Sequence, residues 1–170
     1  QLISSGPITL PGNATINLDQ RGVLGPMEVV GSTTPYQHYK MIFPSIKRPS
    51  DNIMQIGEIQ FYTNRTDPFT GILAAANPII AVDQTPVPAG WGGPGGSSFP
   101  AAESPAQGID QQIDPVTLLP NSKYLNFGEE KSGIIITNSS GPFQVQTLGL
   151  TTANDDVRRD PATYELYGTN

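Results

Sequence analysis

A dense run of charged residues near the end of the sequence contains the groups best suited to binding chemistry. Residues 154–160 hold three aspartates together with Arg158 and Arg159, and Asn154 opens the run. Arginine donates paired hydrogen bonds to planar acceptors, so Asn154, Arg158 and Arg159 are candidate ligands for an anion or for sugar hydroxyls. The same side chains can instead pair with one another and tie their own loop together, and we favour this structural role.

An aromatic side chain in a long loop is a second candidate for ligand binding. Trp91 lies within residues 85–107, TPVPAGWGGPGGSSFPAAESPAQ, where proline and glycine recur too often for a continuous strand or helix. Long loops in compact domains are often binding loops, and an aromatic ring offers the flat face on which a sugar can stack. The alternative is that Trp91 packs this loop onto the surface of the domain.

Residue combinations typical of common catalytic mechanisms are not evident in the sequence. His38 is the single histidine, and no nucleophile motif lies near it, so triad chemistry has little support. Glu129 and Glu130 are adjacent, which places their side chains on opposite sides of an extended chain. The GWGGPGG segment lacks the Lys-Ser/Thr ending of a phosphate-binding loop. We therefore expect a domain that is not an enzyme.

The composition argues against some partners and favours an extracellular location. Fifteen acidic against nine basic residues give a net charge of -6, whereas nucleic-acid binding relies on basic residues that neutralise phosphates. No apolar stretch approaches the length of a membrane-spanning helix. The chain has no cysteine, so disulfides and thiolate metal sites are excluded. Its richness in Thr, Ser, Asn, Gly and Pro is typical of a secreted or cell-surface protein.

The elements that must position the candidate groups are short strands. In residues 36–43, apolar side chains at 39, 41 and 43 alternate with His38 and Lys40, which predicts a half-buried strand. In residues 53–62 the apolar positions change parity around Gly57, which predicts a bulge or tight bend. With turn residues between the runs, the pattern predicts an all-β sandwich or jelly roll. Further β-type runs are residues 2–4, 14–18, 123–127, 133–137, 143–152 and 163–168.

In the segments QGIDQ, SKYLNF, SGIIIT and YELYGTN the chain resembles discoidin-like, galactose-binding-type jelly rolls of repeat-containing bacterial extracellular proteins. QGIDQ at residues 107–111 is similar to the first turn of that family, and SKYLNF and SGIIIT are similar to the strands that follow. TLGLTTANDDVRRDPATYELYGTN, residues 147–170, resembles its middle, and TPYQHYKMIF and MQIGEIQFY resemble its last strands. The resemblance implies a single jelly-roll β-sandwich domain over residues 1–170, with a carbohydrate-binding function.

The matching segments stand in a circularly permuted order. Residues 1–65 resemble the C-terminal half of the family and residues 66–170 its N-terminal half, so the family's domain start would lie near residues 67–72. Either one chain closes on itself, because the termini of such domains usually lie close together, or residues 1–65 complete a neighbouring subunit by strand addition. We favour the self-closed domain.

The resemblance also implies a structural calcium ion beside the aspartate turn. Carried over residue by residue, the ligands are Asp110, Ser122, Glu58 and the Gly108 carbonyl, with Asp114 as a replacement for a missing one. Oxygen ligands at flexible spacing suit a hard cation. The position after Asp110 holds Gln111, where the family usually has glycine. The alternative is that Asp110 bonds its own backbone in a turn and that Glu58 is a buried, hydrogen-bonded strand end.

Two hypotheses from different classes follow. The first is a non-catalytic binding or adhesion module that recognises a glycan or cell-surface polysaccharide and contains structural Ca²⁺. The second is a structural subunit that assembles head-to-tail with copies of itself into an extracellular fibre or surface layer by strand complementation. A third, weaker alternative is an enzyme fragment.

Overall fold

Antiparallel strands form most of the regular structure. The structure is a computed structural model that describes residues 1–10, 28–51, 53–63, 71–74, 76–82, 98–112, 122–128 and 131–170. Its strands are β1 (Leu2–Pro7), β2 (Glu28–Val29), β3 (His38–Ile46), β4 (Met54–Ile56), β5 (Glu58–Tyr62), β6 (Ile79–Val82), β7 (Tyr124–Asn126), β8 (Ser132–Thr137), β9 (Thr147–Thr151) and β10 (Pro161–Thr169). Short 3₁₀ helices lie at Ala101–Glu103, Pro105–Gly108 and Val157–Arg159. The prediction of an all-β domain is confirmed.

The strands are arranged in sheets of different size. The largest has the order β1-β10-β3-β8-β6, a second has the order β2-β9-β5, and β4 pairs with β7. Neighbouring strands are antiparallel throughout these sheets. In the five-stranded sheet, Tyr167 of β10 pairs with Lys40 of β3, which pairs with Ile135 of β8.

The five-stranded and the three-stranded sheet share one hydrophobic core. Tyr39, Met41 and Phe43 of β3 are at most 1% exposed, and Lys40 between the first two is exposed. Ile42, between Met41 and Phe43, is 7% exposed. The Tyr39 ring contacts Phe61 of β5 with a centroid distance of 5.6 Å. A single cluster of buried residues contains side chains from both sheets. The predicted alternation along this strand is therefore confirmed, and it follows from one face of β3 packing on the second sheet.

The change of apolar parity at Gly57 marks a transfer of the chain between sheets. β4 ends at Ile56 and pairs with β7, whereas β5 begins at Glu58 and pairs with β9. The sequence predicted a bulge or bend within one run, and the structure divides that run into two strands. A strand that changes sheet must turn its buried face toward a new neighbour, so the parity of its apolar residues changes too.

The two ends of the chain lie side by side in the five-stranded sheet. β1 pairs with β10 along its length, the amino terminus of Gln1 donates to the Gly168 carbonyl at 3.0 Å, and the Gly168 amide donates back to the Gln1 carbonyl at 2.9 Å. The edge of β10 that strand addition would offer to a neighbour is thus occupied by β1 of the same chain.

Most of the predicted β-type runs contain a strand. The runs at 2–4, 123–127, 133–137, 143–152 and 163–168 overlap with β1, β7, β8, β9 and β10 in turn, while the run at 14–18 lies outside the described residues. β2 and β6 were not predicted, because two and four residues are too short to display a period. Within the described part of the chain, no helix has the length and apolar character needed to span a membrane.

Candidate functional site

Three of the residues that the resemblance assigned to calcium come together at the start of β5. The Ser122 hydroxyl donates to Oδ2 of Asp110 at 2.7 Å. The backbone N–H of Gln111 donates to both carboxylate oxygens of Glu58 at 3.3 Å. We call Glu58, Asp110 and Ser122 the carboxylate cluster.

Local backbone structure positions each member of the carboxylate cluster. Glu58 opens β5 directly after Gly57, whose N–H donates to the Thr151 carbonyl at 2.9 Å. Asp110 accepts at Oδ1 from the backbone N–H of Gln112 at 2.9 Å, the side-chain-to-backbone turn that aspartate favours. Gln111, which lies between Asp110 and Gln112, has φ 58°, in the left-handed region that favours glycine. This conformation gives a physical reason for glycine at the equivalent place in the family.

Gln60 is a further member of the site that sequence reasoning missed. Its side-chain amide donates to Glu58 Oε1 at 3.2 Å and to the Leu73 carbonyl at 2.9 Å, and its oxygen accepts from the Leu73 N–H at 3.2 Å. The Gln111 side chain donates to the same Leu73 carbonyl at 2.6 Å. The one available signal was that Gln60 lies two residues after Glu58, and so on the same face of β5.

The environment of Glu58 disfavours its negative charge. Burial raises the pKa of Glu58 to about 8, and the charge of nearby Asp110 adds to this effect. Hydrogen bonds from Gln60 and from the Gln111 N–H act in the opposite direction. With its residue only 7% exposed, this carboxyl retains a proton at neutral pH unless a cation compensates its charge.

The donor set of the carboxylate cluster suits a hard cation. It offers two carboxylates, the Ser122 hydroxyl, and the Gln107 carbonyl that accepts from Ser122 at 3.4 Å, all of them oxygen ligands of the kind that Ca²⁺ takes. In the described ranges no three His, Cys, Asp or Glu side chains are grouped to hold a metal. A Ca²⁺ ion here would therefore need hydroxyl, carbonyl and water oxygens beyond the two carboxylates.

Of the other two ligands that the resemblance implies, only Gly108 lies among the described residues. Gly108 ends the 3₁₀ helix Pro105–Gly108, and a Cβ added there would lie 2.9 Å from Cβ of Tyr124, so its place in the structure is set by close packing. Asp114 lies outside the described residues, as does Trp91.

The charged run at 154–160 is held by ion pairs. Arg158 Nε donates to Asp156 Oδ1 at 2.7 Å. Hydrogen bonding between the two side chains raises the pKa of Arg158 and lowers the pKa of Asp156. Arg159 Nε lies 3.7 Å from carboxylate oxygens of both Asp51 and Asp156. Asn154 is half-buried and also has interactions within the protein. This arrangement corresponds to the structural alternative for the run.

Comparisons with protein-family models, with curated proteins and with solved structures gave no match.

Proposed function

We propose that this chain is a non-catalytic extracellular module that recognises carbohydrate and is stabilised by Ca²⁺ in the carboxylate cluster. The observation that carries the proposal is the convergence of Glu58, Asp110 and Ser122 from three separate segments of the chain. These are the positions at which the resemblance to discoidin-like jelly rolls expects calcium ligands. The carbohydrate specificity and the secreted or cell-surface location are inferred from the same resemblance and from the composition.

A bound cation would join segments that hydrogen bonds alone hold weakly. The link between the Asp110 turn and Glu58 consists of two backbone contacts of 3.3 Å, long for hydrogen bonds. Ca²⁺ would bind the ionised carboxylates of both residues, displace the Glu58 proton and fix the turn to the start of β5. The ion would then have a structural role. Because this site exists only in the folded chain, the free energy of metal binding adds to the free energy of unfolding.

The intramolecular pairing of β1 favours the binding module over the fibre hypothesis. Strand complementation between subunits requires an edge that accepts the neighbour's strand. Along β10 that edge is occupied by β1 of the same chain, from Leu2 to Pro7. A chain closed in this way has no need of a neighbour to complete this sheet edge.

Calcium is expected to stabilise the unaltered chain most strongly at alkaline pH. Glu58 has a folded-state pKa of about 8, above the unfolded value of about 4.3. Without metal, its contribution to stability is full below the unfolded value and is lost as the pH rises to about 8. Calcium at about 100 times its Kd should then add about 2.7 kcal/mol to the free energy of unfolding at pH 9, and much less at pH 5, where the proton competes.

Urea denaturation followed by circular dichroism, with calcium or with EDTA, measures this effect. Glu58→Gln should abolish the calcium response and flatten the pH dependence between pH 5 and pH 8. Glu103→Gln is the matched control, because Glu103 is a partly exposed carboxylate that contacts Lys123 at 3.5 Å. An equal calcium response in Glu58→Gln and in the unaltered chain would show that the ion does not bind here.

A further inference from the structure

A groove crosses the outer face of the five-stranded sheet, on the side away from the core. It consists of two adjoining cavities of about 240 Å³ and about 350 Å³ that share Lys40 and Tyr167 in their walls. His38 and Ile135 line the first cavity, and Lys131 and Glu165 line the second. Together the cavities are comparable in size to pockets that hold small ligands.

Strand register places an apolar and aromatic row along this face. Tyr167 pairs with Lys40, Lys40 with Ile135, and Ile135 with Ile80 of β6. Leu2 of β1 pairs with Tyr167 at the other end of the row. Leu2 and Ile80 are 50% and 60% exposed, and they are the exposed large hydrophobic residues of the described chain. Partners opposite one another in antiparallel strands share a face, so these residues lie on one face of the sheet. We call the four apolar and aromatic ones, Leu2, Tyr167, Ile135 and Ile80, the platform, and Lys40 lies among them.

Two hydrogen-bonded polar pairs lie beside the platform. The Tyr167 hydroxyl donates to Glu165 Oε2 at 2.6 Å, and His38 Nδ1 shares a hydrogen bond of 2.9 Å with the Thr137 hydroxyl. Aromatic and aliphatic faces beside a few fixed polar groups are the usual composition of a small-ligand site.

The groove also concentrates positive charge that lacks a carboxylate partner. Within the described ranges every other lysine and arginine forms an ion pair with an aspartate or glutamate, and only Lys40 and Lys131 do not. Both are exposed and both line the second cavity. The Lys40 ammonium lies 5.9 Å from the centroid of the Tyr167 ring, which holds it beside the platform. In an acidic protein, two such ammonium groups in one groove point to an anionic ligand.

We propose that this groove is the carbohydrate-binding face and that it selects polysaccharides with acidic groups on their rings. The inference rests on the proposed function and adds to it the location of the site and the class of saccharide. Tyr167 and Ile135 contact the apolar face of a sugar ring, and Lys40 and Lys131 donate charge-assisted hydrogen bonds to its carboxylate or sulfate. Glu165 and His38 accept or donate to neutral hydroxyls.

Affinity electrophoresis of the full chain tests the proposal, in gels that contain polygalacturonate, dextran sulfate, neutral dextran or, as a polyanion that is not a saccharide, polyglutamate. The unaltered chain should be retarded by an acidic polysaccharide and not by dextran, and added salt should reduce the retardation. Lys40→Gln and Lys131→Gln should each weaken binding by roughly tenfold, equivalent to the loss of one charge-assisted hydrogen bond. Ser139→Glu changes the net charge equally at an exposed turn outside the groove and should retain affinity. Thermal melting of every variant verifies the fold.

The possible results distinguish a failure of the groove proposal from a failure of the proposed function. Retardation by polygalacturonate alone assigns the ligand to uronates, and retardation by dextran sulfate alone assigns it to sulfated sugars. Acidic-polysaccharide binding that both lysine variants retain would overturn the groove while leaving the proposed function intact. Equal retardation by polyglutamate would overturn saccharide recognition in favour of simple charge attraction. Retention on neutral polysaccharides alone would overturn the acidic selectivity, and no retention on any polysaccharide would contradict the proposed function itself.

Discussion

Replacing Asp160 with alanine is expected to lower the free energy of unfolding by about 3 kcal/mol. Asp160 is fully buried; its Oδ2 lies 3.3 Å from the Lys47 ammonium and its Oδ1 accepts from the Ala153 N–H at 3.1 Å. Burial raises the pKa of Asp160 to about 7 and lowers that of Lys47, and their mutual attraction opposes both shifts. Removal of the carboxylate leaves a buried cation and a buried N–H without this partner, and both losses are costly.

Urea denaturation at pH 7 measures the loss, and Glu103→Ala provides the comparison. Lys123, the cation that Glu103 contacts, also pairs with Asp155, so removal of Glu103 should cost less than about 1 kcal/mol. If the two variants lost similar stability, the buried pair of Asp160 with Lys47 would contribute no more to the free energy of unfolding than the partly exposed contact of Glu103 with Lys123.

Replacing Gly133 with alanine is expected to destabilise the domain by about 3 kcal/mol or to prevent folding. Gly133 pairs with Ile42 at the centre of the five-stranded sheet, and an added Cβ would overlap the Met41 carbonyl and lie 2.9 Å from Cα of Ile42. These are backbone atoms of a neighbouring strand, so relief requires β3 and β8 to separate. The Gly133 carbonyl also accepts from the Tyr124 hydroxyl at 2.9 Å, which would be displaced as well.

Gly6→Ala is the matched control for this prediction. Gly6 also lies in a strand, and the nearest atom to an added Cβ is Cε1 of Tyr164 at 3.8 Å, an ordinary contact. The free energy of unfolding of this variant should lie within about 0.5 kcal/mol of that of the unaltered chain. Calorimetry of both variants measures the difference. If Gly133→Ala melted at the same temperature as Gly6→Ala, β3 and β8 would not lie as close together at Gly133 as the structure places them.

The sequence allowed us to predict which segments form strands, but not which strands pair with one another. The alternation around Met41 records which face of β3 is buried, and that is a local property. The parity change at Gly57 was equally visible, but the pairing of β4 with β7 and of β5 with β9 depends on segments about 70 to 90 residues away. Such long-range pairings leave no local period in the chain.

The candidate sites show the same division. Glu58, Asp110 and Ser122 could be named because a family resemblance supplied them, while Gln60 could not, since a buried glutamine on a strand carries no motif. The alternation along β3 placed Lys40 on the polar face. Tyr167 comes to lie next to Lys40 only because β10 pairs with β3. The groove therefore could not be predicted from the sequence.

A glycan array probed with the unaltered chain in the presence of calcium tests the central claim most directly. The proposed function predicts binding to a defined set of saccharides. It also predicts a lower free energy of unfolding when EDTA removes the ion, because the Asp110 turn and Glu58 are then linked only by the two contacts of 3.3 Å from the Gln111 N–H. An array on which the folded, calcium-loaded chain binds no saccharide above background would contradict the account.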